Sequence, residues 1–454
     1  MARLFGTDGV RGLANRDLTP ELAFDLGRAG AAYLRAQSQE AHPTVVVGKD
    51  TRRSGDMLEA ALCAGICSVG VHVRRLGVVP TPGVAWLTRL TGAVAGVMIS
   101  ASHNPAPDNG IKFFGPDGFK LPDAVEDAIE ALIRTPEQLP RPTGEALGRI
   151  TEGAELVERY TAYVSGLLPA GLGGVKVVVD CGHGAASVLG PAVLRTVGAE
   201  VVPLHVEPDG DNINRGCGST HLTLLQEAVV AARADVGLAF DGDADRLLAV
   251  DHTGAPVDGD RLMLICLRHG VAAGRLGTPS VVATVMSNMG FEDAVRDLGG
   301  ELIRAKVGDR YVLEEMQARG IRLGGEQSGH LIFLDDNTTG DGLISAVRVL
   351  EAVRASGRTL HDLAADMTSY PQLLHNLRVQ RLTGWSENAA ITAAVRQAEA
   401  ELGGAGRILL RASGTEALLR LMVEGRDRAA IEAIAERLAH VIYQELSPAP
   451  SVLV

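Results

Sequence analysis

VKVVVDCGHGAASVLGPAVLRTVGAEVVPLHV, residues 175–206, decides the fold class. VKVVVD (175–180) is a β-branched apolar run that reads as a buried strand. The stretch after it, to Val197, has the length and apolar content of a helix, and EVVPLHV (200–206) reads as a second strand. A helix after Ser219 and the strand DVGLAF (235–240) extend the series. Strands alternating with helices at this spacing predict an α/β unit built on a parallel sheet. The glycine pair of CGHGAAS resembles a dinucleotide-binding turn, but Ser187 stands where that fingerprint has its third glycine, so we discount it.

The same rhythm occurs on both sides. Upstream, Thr19-Pro20-Glu21 opens an alanine- and leucine-rich helix, with a good cap followed by a proline that the first turn tolerates. TVVVG (44–48), a helical stretch over 55–70, VHVRRLG, a helix after Pro80 and GAVAGVMIS follow. Downstream, PSVVATV, a helix from Asn288, ELIRA, another helix and IRLGG repeat the pattern without readable sequence identity between the units. TPEQLPRPTGEAL (135–147) reads as a linker, because its prolines disfavour helix and sheet. Beyond Pro371 the order changes to a strand, a helix from about Ser386, two strands around GRILLRAS and LLRLMVEG, and a final helix. The expectation is three tandem α/β domains, 1–153, 154–253 and 254–369, followed by a small α+β domain, 370–454.

Composition narrows the function. The 454 residues carry 43 basic and 55 acidic side chains, a net charge of −12, which argues against a nucleic-acid partner. An anionic substrate must therefore be caught by local clusters. Cys63, Cys67, Cys181, Cys217 and Cys266 form no paired metal-ligand pattern in the sequence, and their small, odd number fits a reducing cytoplasm. MARLFGTDGV has no apolar signal core and no stretch is long enough to span a bilayer, so an unexported protein with no membrane partner is expected.

DGDADR (241–246) directly follows the strand DVGLAF and places Asp241, Asp243 and Asp245 at alternate positions on one loop. Three carboxylates this close repel one another unless a divalent cation neutralises them. So few protein oxygens suit magnesium, which keeps positions for water and phosphate, better than a calcium cage. A calcium helix-loop-helix needs glycine at its sixth position and glutamate at its twelfth; here Arg246 and His252 stand there.

ISASHNP (99–105) ends another apolar strand and delivers Ser102 and His103 to the carboxyl edge of a sheet, where open α/β sheets bind ligands. A serine beside a histidine in sequence is poor evidence for a triad, whose partners meet in space. A loop serine together with three loop aspartates instead points to phosphoryl transfer. Lys112 of DNGIKFF is a cation able to stabilise charge or move a proton.

GGEQSGH (324–330) gathers a carboxylate, an amide, a hydroxyl and an imidazole in one loop, the mixed donor and acceptor set that sugar hydroxyls need. Glu326 and Ser328 are the candidate sugar contacts and His330 a candidate proton shuttle. In RASGTEALLR (411–420), Arg411, Ser413, Gly414, Thr415 and Arg420 compose a phosphate clamp.

FGTDGVRG (5–12), GKDTR (48–52), SASHNP, DGDADR, GEQSGH and RASGTE, in this order and spanning the chain, resemble the α-D-phosphohexomutase family. FGTDGVRG, TVMSNMG (284–290) and Gln327 resemble the branch of that family acting on glucosamine phosphates. The resemblance implies four domains around a central cleft and isomerisation of glucosamine 6-phosphate to glucosamine 1-phosphate, feeding UDP-N-acetylglucosamine and cell-wall precursor synthesis. It also implies a phosphorylated Ser102, magnesium held by Asp241, Asp243, Asp245 and the serine phosphate, and a glucosamine or glucose 1,6-bisphosphate primer. Arg11, Lys112 and His330 carry over as phosphate-stabilising or proton-transfer residues, and a homodimer is implied. Ala417 stands where the family usually has proline, which leaves that backbone angle unfixed. The alternatives are the same chemistry on glucose or mannose phosphates, a magnesium-dependent sugar phosphatase, or a phosphosugar-binding protein without activity.

Overall fold

The computed structural model describes residues 3–6, 8–40, 42–412 and 418–447. They divide into two compact units, one comprising Met1–Thr284 with Ile303–Asp366 and the other Val285–Leu302 with Met367–Val454.

The first unit holds three mixed sheets. The first is six-stranded, in the order Val10–Leu13, Asp108–Phe114, Ala95–Ile99, Thr44–Lys49, His72–Val78, Ile150–Glu152. Its central strand Ala95–Ile99 is buried at every position, as expected of a run flanked by strands at both edges and covered on both faces. The second sheet orders Pro256–Val257, Leu247–Asp251, Val236–Phe240, Lys176–Asp180, Glu200–Leu204, again with a fully buried strand, Val236–Phe240, at its middle. The third orders Leu302–Ala305, Val281–Thr284, Leu323–Gly325, Leu331–Phe333.

Each sheet contains the same local device. A strand lying parallel to its neighbour turns back into an antiparallel partner: Ala95–Ile99 into Asp108–Phe114, Val236–Phe240 into Leu247–Asp251, and Leu323–Gly325 into Leu331–Phe333. The turns carry Ser102, the three aspartates, and Glu326 to His330 respectively. Because adjacent strands clamp both ends of each turn, the loops are held by sheet hydrogen bonds and not by their own composition.

Helices begin where the sequence supplies caps. Thr19 accepts from the Leu22 N–H ahead of Pro20–Ala36, and the buried Asp341 accepts from the Ile344 N–H ahead of Gly342–Ser356. The expected linker contains only the single turns Pro136–Gln138 and Gly144–Ala146.

The second unit is a three-stranded antiparallel sheet, Gln372–Arg378, Leu418–Gly425, Gly406–Ala412, with the helices Ala389–Leu402 and Arg428–Leu446 packed on Leu419, Leu421 and Val423. The helix Met289–Asp297 also belongs here. Met289 N–H donates to Glu424 Oε1 at 2.8 Å and Asn288 Nδ2 to the Tyr370 carbonyl at 2.9 Å, contacts that no local pattern announces. Among the described residues no helix is long and apolar enough to cross a membrane.

Candidate active site

Ser102 sits at φ 52°, an uncommon conformation for a residue other than glycine, and it is buried. Its loop is held from behind. Arg52, with a fully buried side chain, bonds Asp50 through Nε at 2.9 Å and donates through Nη2 to the carbonyls of Ser102 (2.9 Å) and Asn104 (2.8 Å). Asn214 Nδ2 donates to the same two carbonyls at 2.9 and 3.1 Å. Ser100 Oγ accepts from the Ser102 N–H at 2.9 Å and donates to Asp50 Oδ2 at 2.6 Å. The Ser102 hydroxyl is thereby aimed at Asp241, donating to Oδ2 at 2.6 Å.

Asp241, Asp243 and Asp245 are all buried, and each offers an oxygen within 4.8 Å of the others. Ala244, at φ 56°, forms the bend that brings them together. Asp243 Oδ2 takes the Thr81 hydroxyl at 2.6 Å and Lys112 Nζ at 2.9 Å, while Asp243 Oδ1 and Asp245 Oδ1 are buried with no hydrogen-bond partner. Orphaned carboxylate oxygens in a cluster of acids are the donor set a hard divalent cation completes. Burial, then the charges of Asp245 and Asp243, push Asp241 well above the ordinary carboxylate range. Burial also works to raise Asp245, but the charge of His330, a hydrogen bond with it, and Lys112 outweigh it and hold Asp245 below that range.

Lys112 is buried in the strand Asp108–Phe114. Burial alone would lower its pKa, but Asp243 and Asp8, the latter at 3.0 Å, keep the ammonium charged. Asp8 also pairs with Arg11, which lies on the adjacent strand, and with Lys120 at 2.5 Å; Lys120 in turn reaches Asp309 at 2.6 Å. His103 Nδ1 stands 3.4 Å from the Ser102 hydroxyl, and burial, then Arg246 and Arg11, push this imidazole down to about 4, so it stays neutral.

In the third loop His330 is buried with Nδ1 3.5 Å from Asp245 Oδ2 and Nε2 3.6 Å from Asp309 Oδ2. Burial opposes protonation, yet Asp245 and Asp309 raise its pKa. The Gly340 N–H donates to Nε2 at 3.1 Å, which selects a ring with its proton on Nδ1 facing Asp245. Gly340 is required at this spot: a Cβ there would stand 2.5 to 2.6 Å from two atoms of the His330 ring. Glu326 is half-buried and accepts from the Gly308 N–H at 3.1 Å, whereas Ser328 is exposed. The loop is tied to the acidic loop by the Leu247 N–H donating to the Gly329 carbonyl at 2.9 Å.

The structure thus brings Ser102, Lys112, Asp241, Asp243, Asp245 and His330 into one hydrogen-bonded constellation, with Arg11 joined through Asp8. Arg411 and Arg420 belong to the second unit, where they face each other across neighbouring strands; burial, then Arg420, lowers the Arg411 pKa. Like charges directly opposite on neighbouring strands repel, as the lowering of Arg411 by Arg420 records. Ser413, Gly414, Thr415 and Ala417 lie outside the described residues. The sequence reading missed Arg52, Asp50, Asn214, Thr81, Asp8 and Asp309. GKDTR and FGTDGVRG contain three of these, but the loop carbonyls and the side chains of Lys112 and Lys120 that they reach lie elsewhere in the chain.

Four family models match in sequence: phosphoglucomutase/phosphomannomutase alpha/beta/alpha domain I over residues 2–140, domain II over 158–254, domain III over 258–370, and the C-terminal domain over 374–441. The chain belongs to the phosphoglucomutase/phosphomannomutase family. It is similar to the phosphoglucosamine mutase of Symbiobacterium thermophilum, 57% identical over 98% of this chain and 100% of that protein. The phosphoglucosamine mutase of Desulforamulus reducens is 53% identical over 97% of this chain and 99% of its own length. A phosphoglucomutase/phosphomannomutase family protein from Burkholderia thailandensis shares the fold with a TM-score of 0.82 at 24% identity, covering 99% of both chains. Membership of this family makes the chain a mutase, an isomerase, and implies a metal ion and a phosphoserine.

Proposed function

We propose that this chain interconverts glucosamine 6-phosphate and glucosamine 1-phosphate, with phospho-Ser102 as donor and magnesium held by Asp241, Asp243 and Asp245. The observation that carries the reading is the 2.6 Å bond from the Ser102 hydroxyl to Asp241 beside two orphaned aspartate oxygens. The amino-sugar substrate is supported by relatives 52–57% identical over nearly the whole chain that bear the name phosphoglucosamine mutase. When bound, magnesium offsets the negative charge of the acidic loop and of the serine phosphate.

Ser102 passes its phosphoryl group to O1 of glucosamine 6-phosphate, and the resulting 1,6-bisphosphate reorients and returns its 6-phosphate to Ser102. Glucosamine 1-phosphate is released. A 1,6-bisphosphate of glucosamine or glucose primes the serine. Lys112 and Arg11 stabilise the transferring oxygens. His330, whose Nδ1 faces Asp245, moves the proton of the attacking hydroxyl. Glu326 and Ser328 bind sugar hydroxyls, and Arg411 and Arg420, with Ser413, Gly414 and Thr415, bind the non-reacting phosphate. We retain the four-domain division 1–153, 154–253, 254–369 and 370–454, a cytoplasmic location and a homodimer as parts of the same reading.

The test is steady-state kinetics on glucosamine, glucose and mannose 6-phosphates with primer and magnesium, beside Ser102→Ala. Preference for glucosamine 6-phosphate, abolished in the variant, is expected. Wild-type turnover by Ser102→Ala would sink the phosphoserine route, and inorganic phosphate released as fast as substrate disappears would make the protein a phosphatase.

A further inference from the structure

The carboxyl edge of the second sheet carries a cluster that the mutase chemistry leaves unused. His183 lies in the turn between the strand Lys176–Asp180 and the helix Ala186–Thr196, His205 directly follows the strand Glu200–Leu204, and Cys217 precedes the short turn Gly218–Thr220. Each offers one ligand atom, and the three atoms lie within 4.8 Å of one another. Cys217 is fully buried, and both histidines are partly exposed, so the cluster borders solvent.

We propose that His183, His205 and Cys217 form a binding site for a thiophilic divalent cation of the zinc class, separate from the oxygen site of the three aspartates. Two imidazoles and a thiolate are the donors that borderline-soft ions select, as hard magnesium selects carboxylates. Donors around a tetrahedral zinc stand roughly 3.3–3.8 Å apart for bonds of about 2.0–2.3 Å. Rotation of the partly exposed rings supplies the remaining contraction. Solvent fills the fourth position.

Three further features fit this site. His183 Nδ1 and His205 Nδ1 are buried atoms with no hydrogen-bond partner, the rings meeting only edge to face at 5.1 Å. Both histidines adopt φ 51°, and the His183 N–H donates to the His205 carbonyl at 2.8 Å, so a strained backbone is held in register at two of the three ligands. Behind them stands Asp180, fully buried. It accepts the Gly182 N–H at 2.9 Å and the Gly218 N–H at 3.0 Å, neighbours of His183 and Cys217, and lies 3.0 Å from His205 Nδ1 without hydrogen-bond alignment. Asp180 thus fixes the backbone next to His183 and Cys217 and stands against the His205 ring, which leaves Nε2 of His205 for the metal.

Binding expels the Cys217 Sγ–H proton to solvent and forms the metal–sulfur bond, leaving no change in oxidation state. Because a thiolate and neutral imidazoles are the ligating forms, affinity rises with pH. The site ties down the segment 205–217, whose Asn214 holds the carbonyls of Ser102 and Asn104.

The test is Co²⁺ titration of the metal-stripped full chain in excess Mg²⁺, with wild type, Cys217→Ser and His205→Asn compared. Asparagine tolerates the left-handed backbone of His205, so the second variant remains informative if the first fails to fold. One cobalt per chain with a thiolate-to-metal charge-transfer band, lost in both folded variants and displaced by Zn²⁺, is expected. Absence of that band in the wild type, or its persistence unchanged in folded His205→Asn, overturns the site.

Discussion

Arg52 Nη2 donates to the carbonyl oxygen of Ser102 at 2.9 Å, so the backbone of Ser102 hangs on a guanidinium that no solvent reaches. Planar, forked donors are what allow one side chain to serve Asp50 and several loop carbonyls together. Arg52→Lys keeps the charge and loses the fork. The expected result is a loss of about 1–3 kcal/mol in urea unfolding, the range for leaving a buried acceptor unpaired, together with loss of most mutase activity.

The acidic loop gives a signed pH dependence. Because burial and its two neighbours raise Asp241, the metal-free folded protein binds a proton there at pH values where the unfolded chain does not. Stability of the metal-free protein therefore increases as pH falls from Asp241's raised value toward the ordinary carboxylate range. Asp241→Asn should flatten that response and remove the rise in Tm that Mg²⁺ gives the wild type, both read by calorimetry across pH.

Gly340→Ala probes His330 without touching it chemically. The added methyl meets the imidazole ring, so the ring must move from Asp245 and from the Gly340 N–H. We expect a destabilisation of about 1–3 kcal/mol, typical of overpacking, and a fall in kcat larger than any rise in KM. Unchanged kcat would remove His330 from proton transfer.

Asp341 is raised to about 6 by burial, despite bonds from the Ile344 N–H, the Tyr160 hydroxyl (2.8 Å) and Asn337 (3.0 Å). A carboxyl raised in the fold makes stability decline as pH climbs from its ordinary value to about 6. Tyr160→Phe removes a donor that favours the ionised form. Its cost should be about 1.5–3 kcal/mol at pH 7, the worth of a bond to a charged group, and smaller at pH 5, measured by urea unfolding at both.

Sequence alone read well where chemistry and local pattern coincide. VGLAF followed by DGDADR, and GVMI followed by SASHNP, are buried strands ending in polar loops, and both stand so in the structure. DNGIKFF was harder: Asp108, Asn109 and Gly110 suppress a strand signal, so the strand Asp108–Phe114 goes unread although Lys112 is singled out, and it is this strand that buries Lys112 against Asp243. Partners such as Asn214 for Ser102 and Asp309 for Lys120 are separated by more than a hundred residues, and no periodicity encodes that distance. The helix Met289–Asp297 reads as part of the third α/β unit, and the bond from its Met289 N–H to Glu424 of the final sheet is a contact the sequence does not announce.

The opposed Arg411 and Arg420 have a further consequence. Two guanidinium groups are register partners on neighbouring strands of the last sheet, and a phosphate bound across them would bridge the two strands. Ligand capture and the cohesion of that small sheet are then a single equilibrium, and its amide hydrogens should exchange more slowly when a phosphate occupies the pair.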